Sequence, residues 1–103
     1  MIDVTELKLA LRDFADARDW EKFHSPKNLV MAMSVEMAEL MEHFEWMTED
    51  ESLRLDETTR DLVAMEMADV LIYLVRMADR CDVDLDQAVV KKLALNAEKY
   101  PVA

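Results

Sequence analysis

The sequence predicts an all-α fold, a bundle of four helices, and three observations predict it. The chain has no Gly and only two Pro, so little interrupts a helix once it has started. Apolar residues recur three and four apart, as in Val4, Leu7, Leu11 and Phe14, the spacing of one helix face. No stretch alternates apolar and polar residues with the period of two that marks a half-buried strand. At 103 residues one domain spanning 1–103 is expected, with a core that covers only part of the chain's surface.

The first helix starts at Asp3, whose side chain caps it, with Glu6 completing a capping box; Ala10 and Ala15 flank its stripe. A polar and aromatic connector, Asp19 to His24, follows. Ser25-Pro26 then reads as a helix start, with Ser as the cap and Pro at the first helical position, and the second helix is expected to run to about Trp46. Between Thr48 and Thr58 the stripe is lost, and Thr48 with Glu51 predicts a short helical turn around Ser52–Leu55. Asp56 caps a third helix from about Glu57 to Cys81, apolar nearly all round through Leu62, Val63, Met65, Met67, Val70, Leu71, Ile72, Leu74, Val75 and Met77. A helix apolar on most sides is covered on most sides, and a chain this short has too few helices to cover it. The bundle is therefore expected to be completed by oligomerisation. Asp84 and Gln87 form a capping box for the fourth helix, from about Leu85 to Lys99, and Pro101 ends it.

The formal net charge is −11. A polyanion has few cations with which to displace counterions from a phosphate backbone, so nucleic acid is not an expected partner. No apolar stretch reaches the roughly 18 residues needed to cross a bilayer, and the N-terminus alternates charged and apolar residues, unlike a signal peptide. One cysteine, Cys81, excludes an internal disulfide and suits a reducing compartment, where it is expected to be a small side chain at least half buried. These features predict a cytoplasmic protein with no membrane partner.

Two acidic pairs stand out. Glu36 with Glu39, and Glu66 with Asp69, are each spaced i, i+3 within apolar runs, so each pair shares one helix face. Four carboxylates brought together on packed helices repel one another and are costly to desolvate. A hard divalent cation that prefers oxygen ligands relieves both. Neither His24 nor His43 follows a Glu by three residues, so the Glu-x-x-His pattern of di-iron bundles is missing. An all-oxygen site for Mg²⁺, with Mn²⁺ as a substitute, fits better. Tyr73 follows Glu66 at i+7, and His43 follows Glu36 at the same spacing.

Two further groups fit a nucleotide. Lys92, Asn96 and Lys99 form a basic, hydrogen-bonding stripe suited to the oxygens of a polyphosphate, to which Arg76 and Lys27 could add. Trp20 and Trp46 sit at element boundaries, where they could sandwich a flat base, and His24, Lys27 and Asn28 lie close by with donors and acceptors. The ordinary alternatives are solvated faces for the charges and core anchoring for the tryptophans.

The run Arg18-Asp19-Trp20-Glu21-Lys22-Phe23-His24-Ser25-Pro26-Lys27-Asn28-Leu29, together with Glu36-Met37-Ala38-Glu39-Leu40, Phe44-Glu45-Trp46, Glu66-Met67-Ala68-Asp69-Val70-Leu71-Ile72-Tyr73-Leu74 and Asn96-Ala97-Glu98-Lys99-Tyr100-Pro101, resembles the MazG-like nucleoside triphosphate pyrophosphohydrolases, and within them the dCTP pyrophosphatase branch. The resemblance implies a helical bundle whose dimers pair into tetramers. It implies Mg²⁺-dependent cleavage of a nucleoside triphosphate between the α- and β-phosphates, releasing monophosphate and pyrophosphate. It implies that Glu36, Glu39, Glu66 and Asp69 hold the metal, that Trp20, Trp46 and Tyr73 lie near base and sugar, and that Asn96, Lys99 and Tyr100 belong to a substrate-contacting tail. Met37 and Ala38 stand where the family often has Gly, and Lys27 where Arg is common. Lys cannot make the bidentate phosphate contact that Arg makes, so both departures bear on nucleotide preference. A relative acting on dUTP or phosphoribosyl-ATP, or a non-catalytic helical module with a structural metal, are the alternatives.

Overall fold

The computed structural model describes residues 2–102 and is helical throughout, with no strand among the described residues. In chain order the elements are α1 (Val4–Ala17), a 3₁₀ turn (Glu21–Phe23), α2 (Pro26–Glu42), α3 (Glu49–Ser52), α4 (Glu57–Arg80) and α5 (Leu85–Lys99). The expected four long helices are present, with α3 as a fifth, short one.

The caps explain most of the boundaries. Asp3, Ser25, Thr48, Asp56 and Asp84 each accept a hydrogen bond from the backbone N–H three residues on. Only at Thr48 is the box seen in full, with Glu51 reaching back to the Thr48 N–H; the Asp3 and Asp84 caps are one-sided. Because Thr48 is the cap, α3 begins at Glu49 and is spent by Ser52, earlier than the turn expected around Ser52–Leu55. The second helix also stops early. After Glu42 the chain tightens into i→i−3 bonds, His43 N to Leu40 O and Phe44 N to Met41 O. Phe44 and Met47 stay half-buried through this turn, so the apolar spacing runs on and mimics a helix as far as Trp46.

Both α1 and α4 end without glycine. Trp20 N bonds Ala15 O and Asp19 N bonds Asp16 O; at α4, Val83 N bonds Ala78 O and Asp82 N bonds Asp79 O. These are two Schellman ends, and the left-handed position is taken by Asp19 and Asp82, each with φ 56°. Aspartate tolerates that conformation better than most side chains. Cys81 is the exposed residue between the last turn of α4 and this reversal, which corrects the expectation of a buried or half-buried thiol.

Packing centres on α4, which lies against α2 along much of its length and against α1 toward its C-terminal half. The buried core is Ala15, Leu29, Val63, Val75 and Ala78. Arg12 holds α1 to α4 by a fork onto Asp79, at 2.7 and 3.1 Å. Arg80 holds the 3₁₀ turn by bonds to His24 O and Glu21 Oε1. By contrast α5 has no buried residue, and on α4 Leu62, Met65 and Met67 remain more than half exposed. Among the described residues no helix is long and apolar enough to cross a membrane.

Candidate active site

The antiparallel pairing of α2 and α4 sets Glu36 and Glu39 opposite Glu66, and Leu29 beside Ile72 and Tyr73. Each of the three glutamates offers one oxygen to a cluster whose atoms all lie within 4.8 Å of one another. Glu36 Oε2 and Glu66 Oε2 are sealed from solvent and have no hydrogen-bond partner. Two orphaned carboxylate oxygens facing a third acid are donors that a divalent cation would satisfy. The donors are all oxygen, and the residues therefore fit a hard divalent ion.

Electrostatics support this. Burial, the adjoining Glu39 carboxylate and the charge of Asp69, with Glu66 close by, push the Glu36 carboxyl up to about 7. Asp69 is exposed and stands outside the tight cluster, though its charge is felt there. His43 Nε2 lies 3.9 Å from Glu66 Oε1. The i+7 spacing from Glu36 had placed His43 on this face, but only the packing of α2 on α4 brings it to Glu66.

Next to the acids along α4 is a cavity of about 340 Å³ between α1, the 3₁₀ turn, α2 and α4. Leu11, Phe14, Trp20, Ile72 and Tyr73 make it largely apolar, and His24 and Arg76 supply its polar groups. The Trp20 ring meets Phe14 edge-on at 5.5 Å and leans on His24 at 6.0 Å. Burial and the nearby Arg76 and Arg80 charges hold His24 below the usual imidazole range.

Trp20, His24 and Tyr73 are thus brought together, whereas other candidates lie elsewhere. Trp46, in the turn after α2, is 90% exposed and does not line the cavity. Lys27 is exposed on the first turn of α2, and the Asn28 amide is engaged in holding the 3₁₀ turn through Phe23 O at 3.1 Å. Lys92, Asn96, Lys99 and Tyr100 follow α5, away from the cavity lining of their own chain. Arg76 does not join that basic stripe: it is buried against His24 and Asp79. Its position at i+3 from Tyr73 placed it on this face of α4, but nothing in the sequence marked it as buried.

Residues 31–103 match the MazG-like family. The chain is 46% identical over 92 residues to dCTP pyrophosphatase 1 of Mus musculus, a match covering 87% of this chain and 54% of that protein. The Homo sapiens dCTP pyrophosphatase 1 is 46% identical over 91 residues, covering 86% and 54%. The chain thus spans about half the length of these curated relatives. The crystal structure of a pyrophosphatase from Archaeoglobus fulgidus superposes with a TM-score of 0.89 and 42% identity, over 95% of this chain and 92% of that one.

Proposed function

Because this chain belongs to the MazG-like family, we propose that it is a nucleoside triphosphate pyrophosphohydrolase that cleaves dCTP, or a modified dCTP, to the monophosphate and pyrophosphate. One observation carries the reading: three converging carboxylates stand beside an aromatic cavity. The acids suit a cation with its triphosphate, and the cavity suits a flat base. The naming of the mammalian relatives as dCTP pyrophosphatases supports cytosine as the base.

Mg²⁺ is the cation of this reading, with Mn²⁺ as substitute, held by Glu36, Glu39 and Glu66 with Asp69 at the margin. When bound it would neutralise phosphate charge and make a bound water more acidic. The protein's own share is positioning and proton transfer. An oxygen of Glu36 or Glu39 left free accepts the proton of the attacking water. Trp20 stacks the base with His24 beside it, Lys27 and Asn28 are assigned to the substrate from outside the cavity lining, and Tyr73 lies between base and acids to orient the sugar. Trp46, with the Lys92, Asn96, Lys99 and Tyr100 stripe, is assigned to the substrate from outside the protomer's own cavity. In this reading α5 reaches the leaving pyrophosphate through assembly of protomers, a dimer or a dimer of dimers. The uncovered apolar surface of α4 and α5 supports that assembly, and the whole unit acts as one cytoplasmic domain that clears nucleotides from the pool, independent of nucleic acid or membrane.

A panel of nucleoside triphosphates with Mg²⁺, scored for monophosphate and pyrophosphate, tests the reading. Release of inorganic phosphate would place cleavage at the wrong bond, and no turnover of any nucleotide would leave the non-catalytic alternative standing.

A further inference from the structure

Among the described residues Arg76 is the only charged one that is buried, with 4% of its surface exposed. A guanidinium taken out of water is tolerated when its N–H groups are used. Nε donates to His24 Nδ1 at 3.1 Å, and Nη1 donates to Asp79 Oδ2 at 3.3 Å. Nη2 is sealed from solvent and has no partner. The two bonds that are made leave Nη2 as the one nitrogen of the group with no partner, so a ligand that opens a path to it meets a donor already stripped of water.

Arg76 also lines the cavity with Trp20 and Tyr73. Its charge is already answered by Asp79, which Arg12 grips in turn. A second anion among Leu11, Phe14 and Ile72 would lose its hydration for the N–H groups of a single nitrogen, so the cavity suits a neutral acceptor on a flat, apolar-faced ring. On α4 the order Glu66, Asp69, Tyr73, Arg76 follows i, i+3, i+7 and i+10, one face of the helix. Asp69 and Arg76 are about 10 Å apart along its axis. That separation leaves the phosphates to the acids and a ring to Arg76.

We propose that Arg76 is a specificity-determining residue that reads the nucleobase, Nη2 donating to the 2-carbonyl oxygen of a pyrimidine seated against Trp20. The inference rests on the nucleotide reading above and adds the contact by which the base is chosen. Cytosine and uracil both carry that carbonyl, so the contact selects the ring class and leaves the choice between the two to other groups. His24 accepts at Nδ1, which puts the proton of its neutral form on Nε2; it is a positioning residue for the guanidinium.

The test is titration calorimetry of the full chain with Mg²⁺, using two probes: dCMP for the base end and inorganic pyrophosphate for the phosphate end. Arg76→Met should weaken dCMP binding about ten- to a hundredfold, the loss of one charge-assisted hydrogen bond, and leave pyrophosphate affinity unchanged. Arg76→Lys keeps the charge beside Asp79 but not the fork geometry; it covers the case in which the Met variant does not fold, and should show the same one-sided loss. Equal losses for both probes would make Arg76 a structural or phosphate-binding residue and overturn the proposal. Unchanged dCMP affinity in both variants, or no dCMP binding by the wild type, would overturn it too. Wild-type release of pyrophosphate from triphosphates decides the pyrophosphohydrolase reading separately, without either variant.

Discussion

In the proposed reading Glu36 is the residue on which protonation and cation binding compete. Its carboxyl is raised to about 7 from an ordinary 4.5, so the folded protein without metal holds a proton that the unfolded chain releases. A raised acid contributes stability fully below 4.5 and loses it as pH rises through 7. The metal-free melting temperature should therefore fall between about pH 5 and pH 8 by this group's share, and Glu36→Gln should flatten that slope while abolishing pyrophosphate release. Adding Mg²⁺ should expel the proton, which calorimetry reads near pH 6.5 as a binding enthalpy that depends on the buffer. The same enthalpy in every buffer would mean that Glu36 is already ionised. Asp79 has the opposite sign. The Arg12 fork holds its carboxyl below the usual range against the cost of burial. Its contribution is present above about 3.8 and lost as pH drops through the folded value. Asp79→Asn strips both Arg12 and buried Arg76 of their counter-charge and should cost about 2–4 kcal/mol in urea unfolding.

The helices are held at their ends as much as along their faces. Ser25 caps α2 through the Asn28 N–H at 3.1 Å, and Ser25→Ala should cost about 1 kcal/mol and loosen the floor of the cavity that α2 supplies through Leu29. Asp82 carries the left-handed turn after α4 at φ 56°. Relief of that conformation by Asp82→Gly, set against the greater freedom of glycine in the unfolded chain, should raise stability by up to about 1 kcal/mol. A lower melting temperature would show that the carboxylate itself is needed there. The absence of glycine keeps the helices long, and the two aspartates show that it does not prevent tight reversals.

The protomer leaves a large apolar surface uncovered. On α5 Val89, Val90, Leu93 and Leu95 are exposed, and Met31, Val35, Met37 and Met41 of α2 are exposed as well. Exposed apolar side chains on two helices are the kind of surface that marks an interaction site, and in the proposed reading second copies of the chain cover it. Size-exclusion chromatography at low micromolar concentration should give a multiple of 12.0 kDa. Val90→Asp should shift that species toward monomer and, because α5 carries Lys92 and Asn96, reduce turnover with it. A wild-type monomer that retains full activity would refute the assembly.

Every α-helix N-cap, the acidic spacing on two helices and the apolar girth of α4 were legible from the amino-acid order, because helix geometry is local and puts residues three and four apart on one face. The turn after Glu42 was not, since Phe44 and Met47 continue an apolar rhythm that periodicity cannot tell from helix. Nor was Arg76, which as a letter in a sequence is an ordinary surface cation. Its burial, its bond to a histidine 52 residues away and its idle Nη2 exist only because α4 lies where α1 and the 3₁₀ turn can close over it. Which acids meet follows in the same way: the spacing offered four, and the crossing of α2 on α4 draws Glu36, Glu39 and Glu66 into one cluster and leaves Asp69 at its edge. Contacts between residues far apart in the chain depend on how whole helices are packed, and no local pattern of side chains encodes that distance.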